Sequence, residues 1–166
     1  MKLIPRIEIL TEKKLVGKRS VMSFANNKTG ELWRNFMQAR ATIQNPIGDD
    51  RFSVQYYHPM FFDPFDPNAL FEKLAAVEVI NFSNVPSEME TYILPGGMYA
   101  VFEYRGNVSM AAETFRYILQ DWLPASPYRL DDRPHFEILG AKYKNGDPFS
   151  EEEIWIPIMP KDTHNT

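Results

Sequence analysis

The chain has 166 residues, 44% of them apolar and 24% charged, a balance that suits one domain or two small fused modules and excludes a disordered chain. It has no cysteine, which excludes disulfide scaffolds, Cys-ligated zinc and thiol catalysis, and its formal net charge of −4 gives no electrostatic case for nucleic-acid binding. Aromatic residues make up 14%, enough to fill a core or to line a cavity for a flat organic ligand.

The amino terminus, Met1 to Arg6, lacks the apolar run and small-residue cleavage site of a signal peptide. No stretch approaches the ~18 apolar residues of a membrane-spanning helix, so a soluble, cytoplasmic protein without a membrane partner is expected. Alternation predicts strands over Arg6–Leu10 and Leu15–Phe24, with Gly17 as a weak spot or bulge. Asn26 to Gly30 is turn chemistry, with Asn27 or Thr29 as a helix cap. Leu32, Phe36, Ala39 and Ile43 then form one helical stripe over Glu31–Ile43. A strand follows over Arg51–His58. Three prolines make Pro59–Asn68 a loop, its phenylalanines packing back onto the body. Leu74–Phe82 is the next strand, and Asn84 to Ser87 a linker.

The second half repeats this order. Glu90–Leu94 and Met98–Tyr104 are strands around a Pro95-Gly96-Gly97 turn. Asn107 or Ser109 would cap a helix over Met110–Leu123, with Ala111, Phe115, Ile118 (or Leu119) and Trp122 as its stripe and Pro124 as its stop. After a polar loop from Ala125 to Arg133, strands are predicted at His135–Leu139 and Glu152–Met159, separated by a turn at Asn145 to Asp147. The prediction is an α+β fold: duplicated β-β-α-β-β modules (1–86 and 87–160) in one domain, with a tail at 161–166. Their antiparallel sheets would be related by a pseudo-two-fold axis, with both helices on one side and a central ligand cleft.

Alternation also sorts the last strand into two faces. Ile154, Ile156 and Ile158 point one way, the natural partner of a helix stripe; Glu153, Trp155 and Pro157 point the other. Pro157 fits best near a strand end or an unpaired edge. A carboxylate beside an indole in a partly dry pocket favours a flat, cationic organic molecule. Glu78 and Glu137 are further cleft-side candidates, and Tyr57 and Tyr104 candidate cleft aromatics; the competing reading of each is simple solvation or packing. His58, His135 and His164 are far apart, and no metal spacing, phosphate loop or dinucleotide glycine motif is present, so no metal or cofactor is expected.

The stretch Gly97–Gly106 (GMYAVFEYRG) resembles the "yAvFeyrG" strand of the GyrI-like family, the effector-binding domain of many AraC-type and MerR-type regulators. Phe115–Pro124 is similar to that family's second helix, and Leu130–Glu137 and Glu152–Ile158 to its closing strands, with the pattern E-x-x-x-P-[IV] as the most specific piece. The similarity is good from about Met98 to Ile158. It implies a duplicated fold around an aromatic cleft, faced by Glu153 four residues before Pro157. It also implies a binding protein for lipophilic, aromatic or cationic small molecules, with Glu153, Trp155, Tyr104, Tyr57, Glu137 and Glu78 as the ligand-binding set. Residue 6 already lies in the first strand, so a stand-alone member without a helix-turn-helix, not itself binding DNA, is expected. Two alternatives stay open. One is a hydrolase of reactive electrophiles with Glu153 as catalytic general base, beside Glu137 or Glu78 and a Tyr57 or Tyr104 hydroxyl. The other is a gyrase-inhibitor-like protein partner using the acidic runs at Asp49-Asp50, Asp131-Asp132 and Glu151 to Glu153.

Overall fold

The structure, a computed structural model, describes residues 3–62, 64–106, 111–140, 143 and 150–162. The expected turn at Asn145 to Asp147, the caps Asn107 and Ser109, His164 and most of the tail lie outside the described residues. In chain order the elements are β1 (Arg6–Leu10), β2 (Lys13–Met22), α1 (Thr29–Ala39) with a 3-10 turn (Arg40–Thr42), β3 (Pro46–Tyr56), β4 (Phe71–Val79), β5 (Glu90–Leu94) and β6 (Gly97–Arg105). Then come α2 (Ala111–Tyr117), a π turn (Ile118–Trp122), α3 (Leu123–Ala125), β7 (Tyr128–Leu130), β8 (His135–Leu139) and β9 (Glu151–Pro160).

Among the described residues the strands form one antiparallel sheet in the order β1-β6-β9-β8-β3-β4-β2-β5, with β7 added to the end of β9. The fold class is α+β, as expected, but the halves do not build separate sheets. β1 pairs with β6 of the second half, and β5 pairs with β2 of the first. Only Thr11 and Glu12 connect β1, at one end of the sheet, to β2 near the other, and only Pro95 and Gly96 connect β5 to β6. Connections this short pull the two ends together and curl the sheet. Gly96 sits at that seam, where a Cβ would come within 2.5 Å of the Leu10 carbonyl oxygen.

The curl gives the sheet an inner and an outer face with different cores. Inside, Leu15, Phe52, Val54, Leu74, Tyr99, Val101, Phe136 and Trp155 pack together. Outside, α1 lays Leu32 and Phe36 over β2 and β4. The other helical segment packs Phe115, Ile118 and Trp122 against Phe102, Ile154, Ile156 and Ile158. The all-isoleucine face of β9 thus meets its helix as expected. The Leu123 amide donates to the Ile118 carbonyl, five residues back. This π bond widens one turn of the helix.

Several boundaries differ from the sequence reading for physical reasons. Gly17 is not a bulge: it holds regular register with Ala76 on one side and Glu90 on the other, and a side chain there would strike the Ala75 carbonyl. β3 starts five residues early through a stretch whose register slips between Pro46 and Arg51, with Gly48 at φ 66°. β4 begins at Phe71, three residues early, because Phe71 to Lys73 still pair with Met22 to Ser20. β7 occupies part of what read as a polar loop. Pro157 lies inside β9, yet on its β8 side pairing stops at Trp155 and β7 begins only at Ile158. Its missing amide therefore falls in a gap, where its carbonyl accepts from the Asp131 amide at 3.0 Å.

Candidate functional site

Strand register decides which predicted residues meet. On the outer face, Lys73 of β4, Gln55 of β3 and His135 of β8 form one cross-strand row. Ala75, Ser53, Glu137 and Ile154 form the next. Glu152 of β9 lies opposite Tyr104 of β6 on the same face. These polar residues occupy the junction of the halves, between the core under α1 and the core under the π turn. Helices cover the sheet on both flanks, and in the groove this leaves between them Lys73, Glu137 and Glu152 keep part of their surface exposed. A separate cavity opens on the inner face between Arg19, Val54, Tyr56, Glu72, Leu74 and Tyr92.

The floor of the groove at the junction is charged and poorly solvated. Burial pushes the Glu137 carboxyl above its ordinary value, against the pull of Lys73 and the Gln55 hydrogen bond. Burial, reinforced by Glu137, pushes Glu152 up to about 8. Burial also lowers the Lys73 ammonium, although both glutamates favour its charge. None of the three forms an ion pair with a described residue. Lys73 Nζ donates instead to Thr29 Oγ1 at the start of α1, at 3.0 Å. That hydroxyl was a candidate cap; the residue bonding back onto the helix start is Asn27, whose Oδ1 accepts from the Thr29 amide at 2.9 Å. Gln55 Nε2 donates to Ser53 Oγ at 2.9 Å and to Glu137 Oε1 at 3.1 Å. His135 is buried and held neutral, its imidazole pushed down to about 3 by desolvation.

Aromatic rings form the wall above that floor. Tyr57 stands edge-on to His135 with centroids 5.0 Å apart, and Phe115 stacks on it at 6.2 Å and 16°. Phe62 bridges Tyr57 at 4.9 Å and Phe115 at 6.4 Å, linking the Pro59–Asn68 loop to α2. That loop does pack back: Phe61 is buried against Tyr57 at 4.8 Å. Burial raises the Tyr57 hydroxyl well above its ordinary value, with Glu137 adding to the effect.

The six residues picked from the sequence therefore divide. Tyr57, Tyr104 and Glu137 face the groove. Glu153, Trp155 and Glu78 lie on the inner face, and the structure does not bring them to the first three. Glu153 Oε2 accepts from Arg6 Nη2 at 2.8 Å, and its other oxygen accepts from Trp155 Nε1 at 3.1 Å. Trp155 is buried, stacked on Phe136 at 5.1 Å and 19°. Glu78 is held by Lys13 at 3.3 Å. Glu153 thus stays beside the Trp155 indole, as its alternation required, but on the inner face; its neighbour Glu152 lies on the isoleucine face with Glu137 and Tyr104. Lys73, Gln55, His135 and Glu152 were missed. Glu152 was findable, since it precedes Ile154 by two and must share its face.

Among the described residues no group of three or more His, Asp or Glu is placed to hold a metal, and no helix is long and apolar enough to cross a membrane. The family model of the GyrI-like small molecule binding domain matches residues 4–159. The transcriptional regulator BrlR of Pseudomonas aeruginosa is 27% identical over 145 residues, covering 87% of this chain and 51% of the regulator. The chain thus spans about half the length of that relative. Solved structures share the fold. SAV2435 bound to tetraphenylphosphonium superposes with a TM-score of 0.68 at 19% identity, covering 99% of this chain and 98% of that one. The EcmrR C-terminal domain gives 0.74 at 14% identity, covering 96% and 99%.

Proposed function

The chain belongs to the GyrI-like small-molecule-binding domain family, and from that premise we propose that its ligand is a lipophilic organic cation held in the groove between the two halves. One observation carries this reading: two glutamates, Glu137 and Glu152, share a poorly solvated floor with Lys73 and, among the described residues, form no ion pair, beneath a wall of aromatic rings. Once Glu152 gives up its proton, near pH 8 in the free protein and lower when a cation meets it, that floor holds one negative charge in excess. A carboxylate in such surroundings is costly unless a cation meets it, and ring faces attract the same cation by ~0.5–2 kcal/mol each. The groove is therefore set up to receive a positive charge with apolar flanks. The tetraphenylphosphonium in the SAV2435 structure is a ligand of that description.

Calorimetric titration with tetraphenylphosphonium, against uncharged triphenylphosphine oxide, tests the reading. The cation is expected to saturate one site and to bind about tenfold or more tighter than the neutral compound, with Glu137→Gln reducing that advantage. No saturable signal, or equal binding of the neutral compound, would overturn it.

A further inference from the structure

The floor of the groove holds more hydrogen-bond acceptors than it uses. A carboxylate oxygen only accepts, so the Gln55 amide is oriented by Glu137: Nε2 faces that carboxylate and Ser53, and Oε1 is turned away from both. Gln55 Oε1, Glu137 Oε2 and His135 Nδ1 are each buried without a partner among the described residues. Gln55 and His135 are only 3% and 2% exposed, and they sit directly opposite each other across β3 and β8, with Glu137 two residues along. A buried polar atom left unbonded costs roughly 1–3 kcal/mol, and three of them in one place call for an explanation. Lys73, in the same row, points its ammonium at Thr29 Oγ1 and bonds none of the three, although two of its N–H donors have no partner among the described residues. The neutral His135 ring presents Nδ1 as an acceptor in one of its tautomers. All three atoms then need the same complement, an N–H donor, and the carboxylate among them favours a donor with positive charge.

Building on the cation reading above, we propose that the groove selects organic cations whose charged head carries N–H bonds (protonated primary or secondary amines, amidines or guanidines), with Gln55, Glu137 and His135 accepting from that head. The aromatic tail then lies against Tyr57, Phe62 and Phe115. A quaternary ammonium or phosphonium satisfies the charge and the rings and leaves the three acceptors empty. Bound water could fill the same acceptors, and that is the alternative the test must separate.

The decisive comparison is 2-naphthylmethylammonium against its N,N,N-trimethyl analogue, titrated into the wild-type protein by calorimetry with tetraphenylphosphonium as a third probe. The N–H cation is expected to bind about tenfold or more tighter than the trimethyl compound. Gln55→Leu should bring that ratio towards one, and because it also removes a hydrogen bond that favours ionised Glu137, it should lower the affinity for both cations. Equal, saturable binding of both naphthyl cations would overturn the proposal and assign the acceptors to water, leaving the cation reading intact. A ratio that survives Gln55→Leu would overturn it too, since the donors would then bond elsewhere. Failure of all three probes to saturate would remove both the cation reading and this one. Should Gln55→Leu fold poorly, the ¹⁵N resonance of wild-type His135 Nδ1 decides. It should move on adding the ammonium and not the trimethyl compound; equal response to both contradicts the proposal.

Discussion

β9 carries two adjacent glutamates with opposite surroundings, and they stand for the two faces of the sheet. Glu153 looks into the curl, where each carboxylate of the predicted set is in direct ion contact: Glu153 with Arg6, which it shares with Glu8 and Glu103, and Glu78 with Lys13. Glu152 looks out beneath the aromatic wall, where it and Glu137 share one lysine at longer range. The inner face has its charges paired and most of its rings packed, with one cavity left between Arg19, Val54, Tyr56, Glu72, Leu74 and Tyr92. The outer face is left incomplete at the junction of the halves, with an excess of charge once Glu152 ionises and three acceptors without a partner among the described residues. A carboxylate marks a site when its charge is unmet, and one step along a strand is enough to change that.

The strongest way to break this contrast is to truncate a ring on each face. Trp155→Ala removes a buried indole from the inner core and should destabilise the fold by ~3–5 kcal/mol, read as a lowered midpoint of urea unfolding. Phe115→Ala, on the partly buried wall, should cost clearly less stability and weaken tetraphenylphosphonium binding by about tenfold. If Phe115→Ala proved the more destabilising, or left cation binding unchanged, the division into packed core and binding wall would be wrong.

Proton linkage sharpens the contrast next. Glu152 in the folded protein holds its proton up to about pH 8, whereas an unfolded glutamate releases it near 4.5. Between those values the folded state binds more protons, so stability falls as pH rises from about 4.5 to about 8 and then levels. His135 acts in the opposite sense: neutral in the fold down to about 3, it contributes stability at neutral pH that is lost as pH falls below about 6.5. Above about 6.5 the His135 limb is gone, and Glu152→Gln should reduce the remaining slope in chemical denaturation between pH 6.5 and 8.5, Glu137 acting in the same sense. A Glu152→Gln profile that keeps the full slope would assign the limb to another group.

The smallest effect is expected on the inner face. The Arg6–Glu153 pair is partly exposed, so Arg6→Gln should change stability by at most ~1 kcal/mol and leave cation affinity unchanged. A marked loss of binding in Arg6→Gln would show that the inner face takes part after all.

Much of the fold was legible because its signals are local. β1, β5 and β8 have the predicted bounds, and of the predicted stripe Leu32 and Phe36 are buried as their spacing required and Ala39 partly so, while the helix ends at Ala39 and Ile43 is buried from extended chain beyond it. The faces of β9 were also assigned correctly from alternation. What alternation does not reveal is which face is open, because that depends on the curl. The curl follows from pairings such as β1 with β6, made by residues almost 100 positions apart. Arg6, 147 residues from Glu153, was therefore invisible as its partner. Lys73 fell just outside the strand predicted from Leu74. Gln55 and His135 carry no motif; only their shared row gives them meaning.

The account rests on Glu152, and the adjacent residue provides its own control. Tetraphenylphosphonium should be titrated into the wild-type protein, Glu152→Gln and Glu153→Gln near pH 8, where Glu152 can ionise. Glu152→Gln should lose about tenfold or more in affinity while Glu153→Gln stays within about twofold of wild type. Loss of binding in Glu153→Gln, with Glu152→Gln unaffected, would contradict the assignment and move the site to the inner face of the sheet.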